Sequence, residues 1–200
     1  MQISAAQIKQ LREETRAGVL DCKKALEAVG GDMDQAKAWL NEKCQALAAR
    51  KSDRAANEGR IEVYVHPGNR VAVMVEVNCE TDFVAQTEAF LGFAHEVALH
   101  IAFANPRYVE PADLPPETAA AEQARLRERA EAEGKPAHVV EKIVAGQMES
   151  FYQETCLLRQ PYVKDEKTTI GDLLKQTVTA LGENVVVRRF ARYELGETAG

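Results

Sequence analysis

Between positions 61 and 104 the apolar residues change period. Ile61, Val63 and Val65 alternate with Glu62, Tyr64 and His66, and Val71, Val73, Val75 and Val77 alternate with Ala72, Met74, Glu76 and Asn78, the two-residue period of half-buried strands. Pro67-Gly68-Asn69 supplies turn chemistry between them, so the pair reads as a β-hairpin. Beyond Cys79-Glu80 the spacing becomes helical: Phe83, Thr87, Phe90, Ala94, Val97, Ile101 and Ala104 form a stripe on one face. Thr81 or Asp82 is the predicted N-cap, since either side chain accepts a hydrogen bond from a free N–H of the first turn. Phe83 falls in that turn, where a ring points either into the core or out at a partner. Helix-start statistics alone favour a capping Asp beside a core Phe.

Upstream, residues 1–44 read as three short helices. Ser4 with Gln7 forms a capping-box pattern ahead of Ile8 and Leu11, and Asp32 with Gln35 repeats it ahead of Ala36 and Leu40. Gly18 breaks the first helix, Asp21 to Val29 is the second, and Gly30-Gly31 ends it. Val19 and Leu20 fall in the first connection, where they either plug the small core or face outward. Residues 45–59 (QALAARKSDRAANEG) are small, charged and locally basic, a helical extension or linker carrying the domain boundary.

Residues 60–200 form the second predicted domain. Its long helix ends near Asn105-Pro106, and Pro106, Pro111, Pro115 and Pro116 mark an irregular connection. A helical hairpin follows at about 117–155. Glu117 to Glu133 carries only Leu126 and Ala130 as apolar contacts, Gly134 makes the turn, and Pro136 to Glu154 carries Val140, Ile143 or Val144, Gln147 and Phe151. So lean a seam predicts an arm protruding into solvent. Thr168 to Leu181 reads as a last helix and Val185 through Tyr193 as a last strand, which gives an α+β fold with a small antiparallel sheet.

Composition narrows the function. The 200 residues are 46% hydrophobic and 28% charged, ordinary for a globular chain, and 31 acids against 25 bases give a net charge of -6. That balance argues against a general nucleic-acid binder, which needs a dense basic face to neutralise phosphates. The opening MQISAAQIKQ lacks the apolar stretch of a signal peptide and no later run is apolar enough to span a bilayer, so a cytoplasmic location is expected. Cys22, Cys44, Cys79 and Cys156 are widely spaced, and His66, His95, His100 and His138 show no ligand pairing beyond the five-residue interval of His95 and His100, so neither a metal nor a cofactor is expected. Nor does the chain carry a G-x-x-x-x-G-K-[ST] loop, a G-x-G-x-x-G turn after a strand, a G-x-S-x-G elbow or an H-E-x-x-H helix. Glu80 and Asp82 could serve a small hydrolase as an acid/base pair, but a solvated strand end plus a helix cap is the better explanation, and an enzyme the weaker class.

Two separated segments resemble one family. Leu11-Arg12 with Thr15-Arg16-Ala17-Gly18-Val19-Leu20-Asp21-Cys22-Lys23-Lys24-Ala25-Leu26 is similar to the N-terminal signature of elongation factor Ts, and Asn78-Cys79-Glu80-Thr81-Asp82-Phe83-Val84 resembles its second signature. The resemblance extends through His100-Ile101-Ala102, Gly134-Lys135-Pro136, Gln160-Pro161-Tyr162-Val163 and Val187-Arg188-Arg189-Phe190. Length and the single strand block resemble the short form, with one core module. Arg16 and Cys44 depart from the family pattern, standing where a small or polar residue and a helix-ending Gly are common.

The resemblance implies a non-enzymatic guanine-nucleotide exchange factor for elongation factor Tu, acting in translation elongation. Thr81, Asp82, Phe83 and Val84 would meet the partner's G domain, the Asp82-Phe83 pair wedging in and dislodging its Mg2+. Residues 1–44 would be a ubiquitin-associated-like domain docking through Val19, Leu20 and Lys23, and the 117–155 hairpin a further possible contact. A homodimer is implied, with no direct nucleic-acid or membrane partner. The competing expectation is a ubiquitin-associated-like adaptor without exchange activity.

Overall fold

A computed structural model of the chain describes residues 3–15 and 17–197; Arg16 lies outside them. The fold is α+β. Helices α1 (Ala5–Thr15), α2 (Val19–Ala28) and α3 (Met33–Ala49) come first, followed by strands β1 (Glu58–Val65) and β2 (Val71–Cys79). A one-turn helix α4 (Asp82–Ala85) precedes α5 (Glu88–Ala104). Helices α6 (Pro116–Ala132) and α7 (Ala137–Thr155), the short strands β3 (Pro161–Tyr162) and β4 (Asp165–Thr169), helix α8 (Ile170–Leu181) and strand β5 (Val185–Glu194) complete the chain. By internal contacts the chain forms two compact units. The segments up to Glu62, Val75–Glu96 and Asp172–Arg188 make one; Val63–Met74, Val97–Gly171 and the segment from Arg189 make the other.

Both predicted N-terminal caps form. Ser4 Oγ accepts from the Gln7 N–H (3.2 Å) while Gln7 Oε1 accepts from the Ser4 N–H (3.0 Å), and Asp32 Oδ1 accepts from the Gln35 N–H (2.9 Å). Leu11, Cys22, Ala25, Leu26, Ala36 and Leu40 bury together as the small core of α1–α3. One detail differs from the expectation. Val19 and Leu20 are the first turn of α2 instead of its connection, because Gly18 takes an extended conformation and serves as the N-cap. Cys44 lies buried within α3, which runs on to Ala49.

The three-stranded sheet has the order β1-β2-β5. The predicted hairpin closes with the His66 N–H donating to Val71 O (2.9 Å), and Leu195, just past β5, donates to Arg70 O just before β2 (2.8 Å), so β5 runs against β2. Val73, Val75 and Val77 are buried as the alternation required. Gly59 is obligatory in β1: its φ is +142°, and a Cβ there would lie 2.1 Å from Val77 O. By contrast, Ile61, Val63 and Val65 in β1 are exposed. Thr168 and Thr169, expected in the last helix, belong to β4, which pairs antiparallel with β3. In the helical hairpin Leu126, Ala130, Val140, Val144 and Met148 bury together, with Ile143 and Phe151 at the margin, so Met148 takes the seam position expected of Gln147.

His100, in α5, is 1% exposed. The Val163 N–H donates to its Nδ1 (3.3 Å), which fixes the proton on Nε2, and Nε2–H donates to Gln160 Oε1 (3.0 Å). Gln160 in turn donates to Glu154 O (3.0 Å). Burial holds the imidazole below its ordinary pKa, the Gln160 hydrogen bond opposing it. As pH falls through about 6.5 the unfolded chain therefore takes up the proton first, so this stabilisation is complete above about pH 6.5 and declines below it. The urea midpoint is expected to fall between about pH 6.5 and 5, and His100→Asn to flatten that slope; equal slopes would rule the imidazole out as its source.

Candidate partner-binding site

At the end of β2 the backbone leaves the ladder, and Thr81 starts a new helix. Its φ of -130° and ψ of 152° are those of an N-cap, and its Oγ1 accepts from the Val84 N–H (3.4 Å), which settles the choice between Thr81 and Asp82. The helix lasts one turn. Thr87 Oγ1 donates to Val84 O (2.8 Å) at its end and accepts from the Phe90 N–H (3.3 Å), so the same hydroxyl closes α4 and caps α5.

This break separates the two aromatic residues that spacing alone joined. Phe90, Ala94, Val97 and Ile101 are fully buried, whereas Phe83 is 80% exposed. Asp82 beside it is also exposed, with no hydrogen bond or ion pair among the described residues. Val84 is half-buried and Ala85 buried, anchoring the turn from below.

The segment before the turn is held tightly. Cys79 is fully buried, and its Sγ–H donates to Thr81 O (3.1 Å). Burial pushes this thiol's pKa up, with the Glu183 carboxylate adding to it, so Cys79 is a neutral donor. Glu183, in the turn between α8 and β5, accepts at Oε2 from the N–H groups of Glu80 and Thr81 (3.1 Å each) and at Oε1 from the Thr81 hydroxyl (2.7 Å). Glu80 returns the contact: its Oε1 accepts from the Asn184 N–H (2.6 Å) and faces Arg54 (3.5 Å). Glu80 and Asp82, weighed above as an acid/base pair, therefore have divided roles, one carboxylate bound to backbone and the other free in solvent.

Glu183 and Asn184 were invisible to motif reading, because they lie 102 to 104 residues from their partners. The local signal was Gly182 (φ 74°), whose N–H closes α8 on Val178 O; it marks a helix end without saying what the next side chains hold.

On α2, Val19 is 51% and Leu20 72% exposed, outside the buried cluster. Lys23 follows three and four residues later, which places all three on adjoining positions of one helical face, and its ammonium reaches Glu27 (3.7 Å). An apolar pair beside a solvated cation is suited to a protein surface with an apolar groove and acidic rim. Among the described residues no three His, Cys, Asp or Glu side chains are grouped to hold a metal ion.

A family model described as Elongation factor TS matches residues 2–197. The chain is 52% identical over 195 residues to Elongation factor Ts of Caldanaerobacter subterraneus subsp. tengcongensis, covering 98% of each chain. It is 54% identical over 196 residues to Elongation factor Ts of Herpetosiphon aurantiacus, covering 98% of this chain and 99% of the relative. With Elongation factor Ts of Coprothermobacter proteolyticus the identity is 52% over 197 residues, 98% of this chain and 100% of the relative.

The exposure difference between the two rings has a direct check by chemical denaturation. Phe83→Ala is expected to leave stability within about 0.5 kcal/mol. Phe90→Ala should cost about 3–5 kcal/mol through the cavity it leaves.

Proposed function

The chain belongs to the elongation factor Ts family, and on that premise we propose that it is a non-enzymatic guanine-nucleotide exchange factor that releases GDP from elongation factor Tu in the cytoplasm during translation elongation. The observation that carries the reading is the Phe83 ring, 80% exposed on a turn whose backbone is capped and tied down. A large apolar ring left in water on an ordered backbone gains about 1.5–3 kcal/mol when a partner buries it. No ligand of the chain itself is required. Asp82 and Phe83 press into the G domain of elongation factor Tu, the ring displaces its packing, and the shift dislodges the Mg2+ that neutralises the GDP phosphates. Thr81 and Val84 complete the contact. Exchange then follows from linkage: a contact that weakens GDP binding is itself weakened by GDP by the same factor.

Residues 1–44 act in this reading as a docking domain, presenting Val19, Leu20 and Lys23 to a second part of the same G domain. Residues 45–59, which comprise the end of α3, the segment after it and the start of β1, join it to the core at 60–200. The 117–155 hairpin is left for a further contact. Among the described residues no helix is long and apolar enough to cross a membrane.

We further propose a homodimer formed through the outer face of the hairpin. The His66–Val71 hydrogen bond sets a register in which Val63 stands opposite Met74 and Val65 opposite Ala72. Val63 is 57%, Val65 50% and Met74 48% exposed, while Val73 points to the opposite, buried side. An apolar row on an edge strand invites pairing with another sheet, and a second copy satisfies both faces at once.

Release of labelled GDP from purified elongation factor Tu tests the exchange reading. The chain is expected to accelerate release at micromolar concentration, and Phe83→Ala and Asp82→Ala to slow it by about ten- to hundredfold with the fold intact. No acceleration by the parent chain sinks the exchange reading and leaves the adaptor. Light scattering after size exclusion tests the dimer: the parent should run at twice the chain mass and Val63→Glu as a monomer. A monomeric parent at the working concentration refutes it.

A further inference from the structure

We propose that Glu183 is the positioning residue of the exchange wedge, acting through the backbone of Glu80 and Thr81 on Asp82 and Phe83; this rests on the wedge reading above. The two N–H groups at 80 and 81 lie after the end of β2 and before the first turn of α4. The Glu183 carboxylate takes both N–H groups and the Thr81 hydroxyl, at 3.1, 3.1 and 2.7 Å. Hydrogen bonds to a carboxylate are the stronger kind, and two donors on one oxygen with a third on the other fix its orientation. Thr81 Oγ1 is then committed twice, donating to Glu183 and accepting from the Val84 N–H, so the α4 cap and the clamp share one hydroxyl.

The clamp is itself anchored. Asn184, 5% exposed, donates its N–H to Glu80 Oε1 (2.6 Å) and its Nδ2 to Ser52 O (3.3 Å) and Arg54 O (2.8 Å), and the Lys51 ammonium donates to Gly182 O. Residues 51–54, 80–81 and 182–184 thereby hold one another from three directions. Phe83 lies two residues beyond the clamp, so the direction in which its ring leaves the surface is set at Thr81. A wedge works only if the ring arrives at a fixed place and angle. A loose loop must be ordered during the encounter, and a displacement of about 1 Å at a working group can cost a hundredfold in rate.

The test is the rate of labelled-GDP release from purified elongation factor Tu across a concentration series of the full chain, which gives a plateau rate and a half-saturating concentration. Glu183→Ala is expected to lower the plateau about tenfold while moving half-saturation less than about threefold. Glu183→Gln keeps an acceptor for both N–H groups and should stay within about threefold of the parent on both. Adding Glu183→Ala to Phe83→Ala should cost less than the product of the two single losses, since the clamp acts through the ring as well as through Asp82. A merely structural role gives a different signature: fewer folded molecules shift half-saturation and leave the plateau. That outcome, an unchanged plateau, or losses that multiply in the double variant overturns the proposal. If Glu183→Ala fails to fold by circular dichroism, Glu183→Asp decides, since it keeps the charge and withdraws the acceptor by one methylene; a parental plateau there also overturns it. Parental rates for Phe83→Ala and Asp82→Ala remove the wedge itself, whereas slow Phe83→Ala beside fast Glu183→Ala removes only the positioning role.

Discussion

A threonine hydroxyl keeps an aromatic ring in water. If the helix that starts at Asp82 ran on without interruption, positions 83, 87, 90, 94, 97 and 101 would share one face at 3.6 residues per turn, and Phe83 would lie over a stripe whose other large members are buried. Thr87 prevents this by offering its Oγ1 to the Phe90 N–H, a bond available only if the α5 helix begins there. Thr81 does the same for α4, leaving a single turn between two caps. A cap is worth about 1 kcal/mol, comparable to what an exposed Phe gains by partial burial, and because Thr81 caps the turn in either arrangement it is Thr87 that favours the break.

The same competition explains which features could be read from residues. Alternating valines fixed β2 and its buried face because Val73, Val75 and Val77 have no polar alternative. In β1 an equally regular alternation pointed the other way, with Ile61, Val63 and Val65 outside, since a period of two says that faces differ and not which one meets the core. Thr87 has the spacing of the apolar stripe but caps α5 instead, since Ser and Thr are the residues whose side chains replace the backbone partner of a helix start. Pairing as short as Pro161–Tyr162 with Asp165–Thr169 carries no period at all. The candidate site at Asp82-Phe83 was visible as residues, while the Glu183 contact beneath it required the fold, because no local pattern links positions a hundred apart.

The small helical unit shows a related trade. Among the described residues its core is six buried ones, three of them Ala or Cys side chains, and it leaves Val19 and Leu20 outside although burying either would add apolar area. The extended N-cap at Gly18 starts α2 at Val19, and the first α2 positions face outward. A domain this small is marginal on its own, so two large side chains withheld from its core are a measurable fraction of its stability.

On the proposed reading, the two exposed regions must do different things. An interaction equal in the GDP-bound and empty forms of the partner adds affinity and shifts no equilibrium, however strong it is. Val19, Leu20 and Lys23 on a helical surface are of that kind: they meet a surface and require nothing of it. Phe83 is of the other kind, because a rigidly held ring enters only where the partner's packing has opened, and opening is what weakens GDP. Its size then sets the scale of the coupling. One phenyl ring and one carboxylate supply a few kcal/mol at most, within the usual 1–3 kcal/mol range of coupling between sites. Coupling of that size speeds nucleotide release and still lets the returning nucleotide expel the factor, whereas a larger wedge would hold the empty partner and stop the cycle.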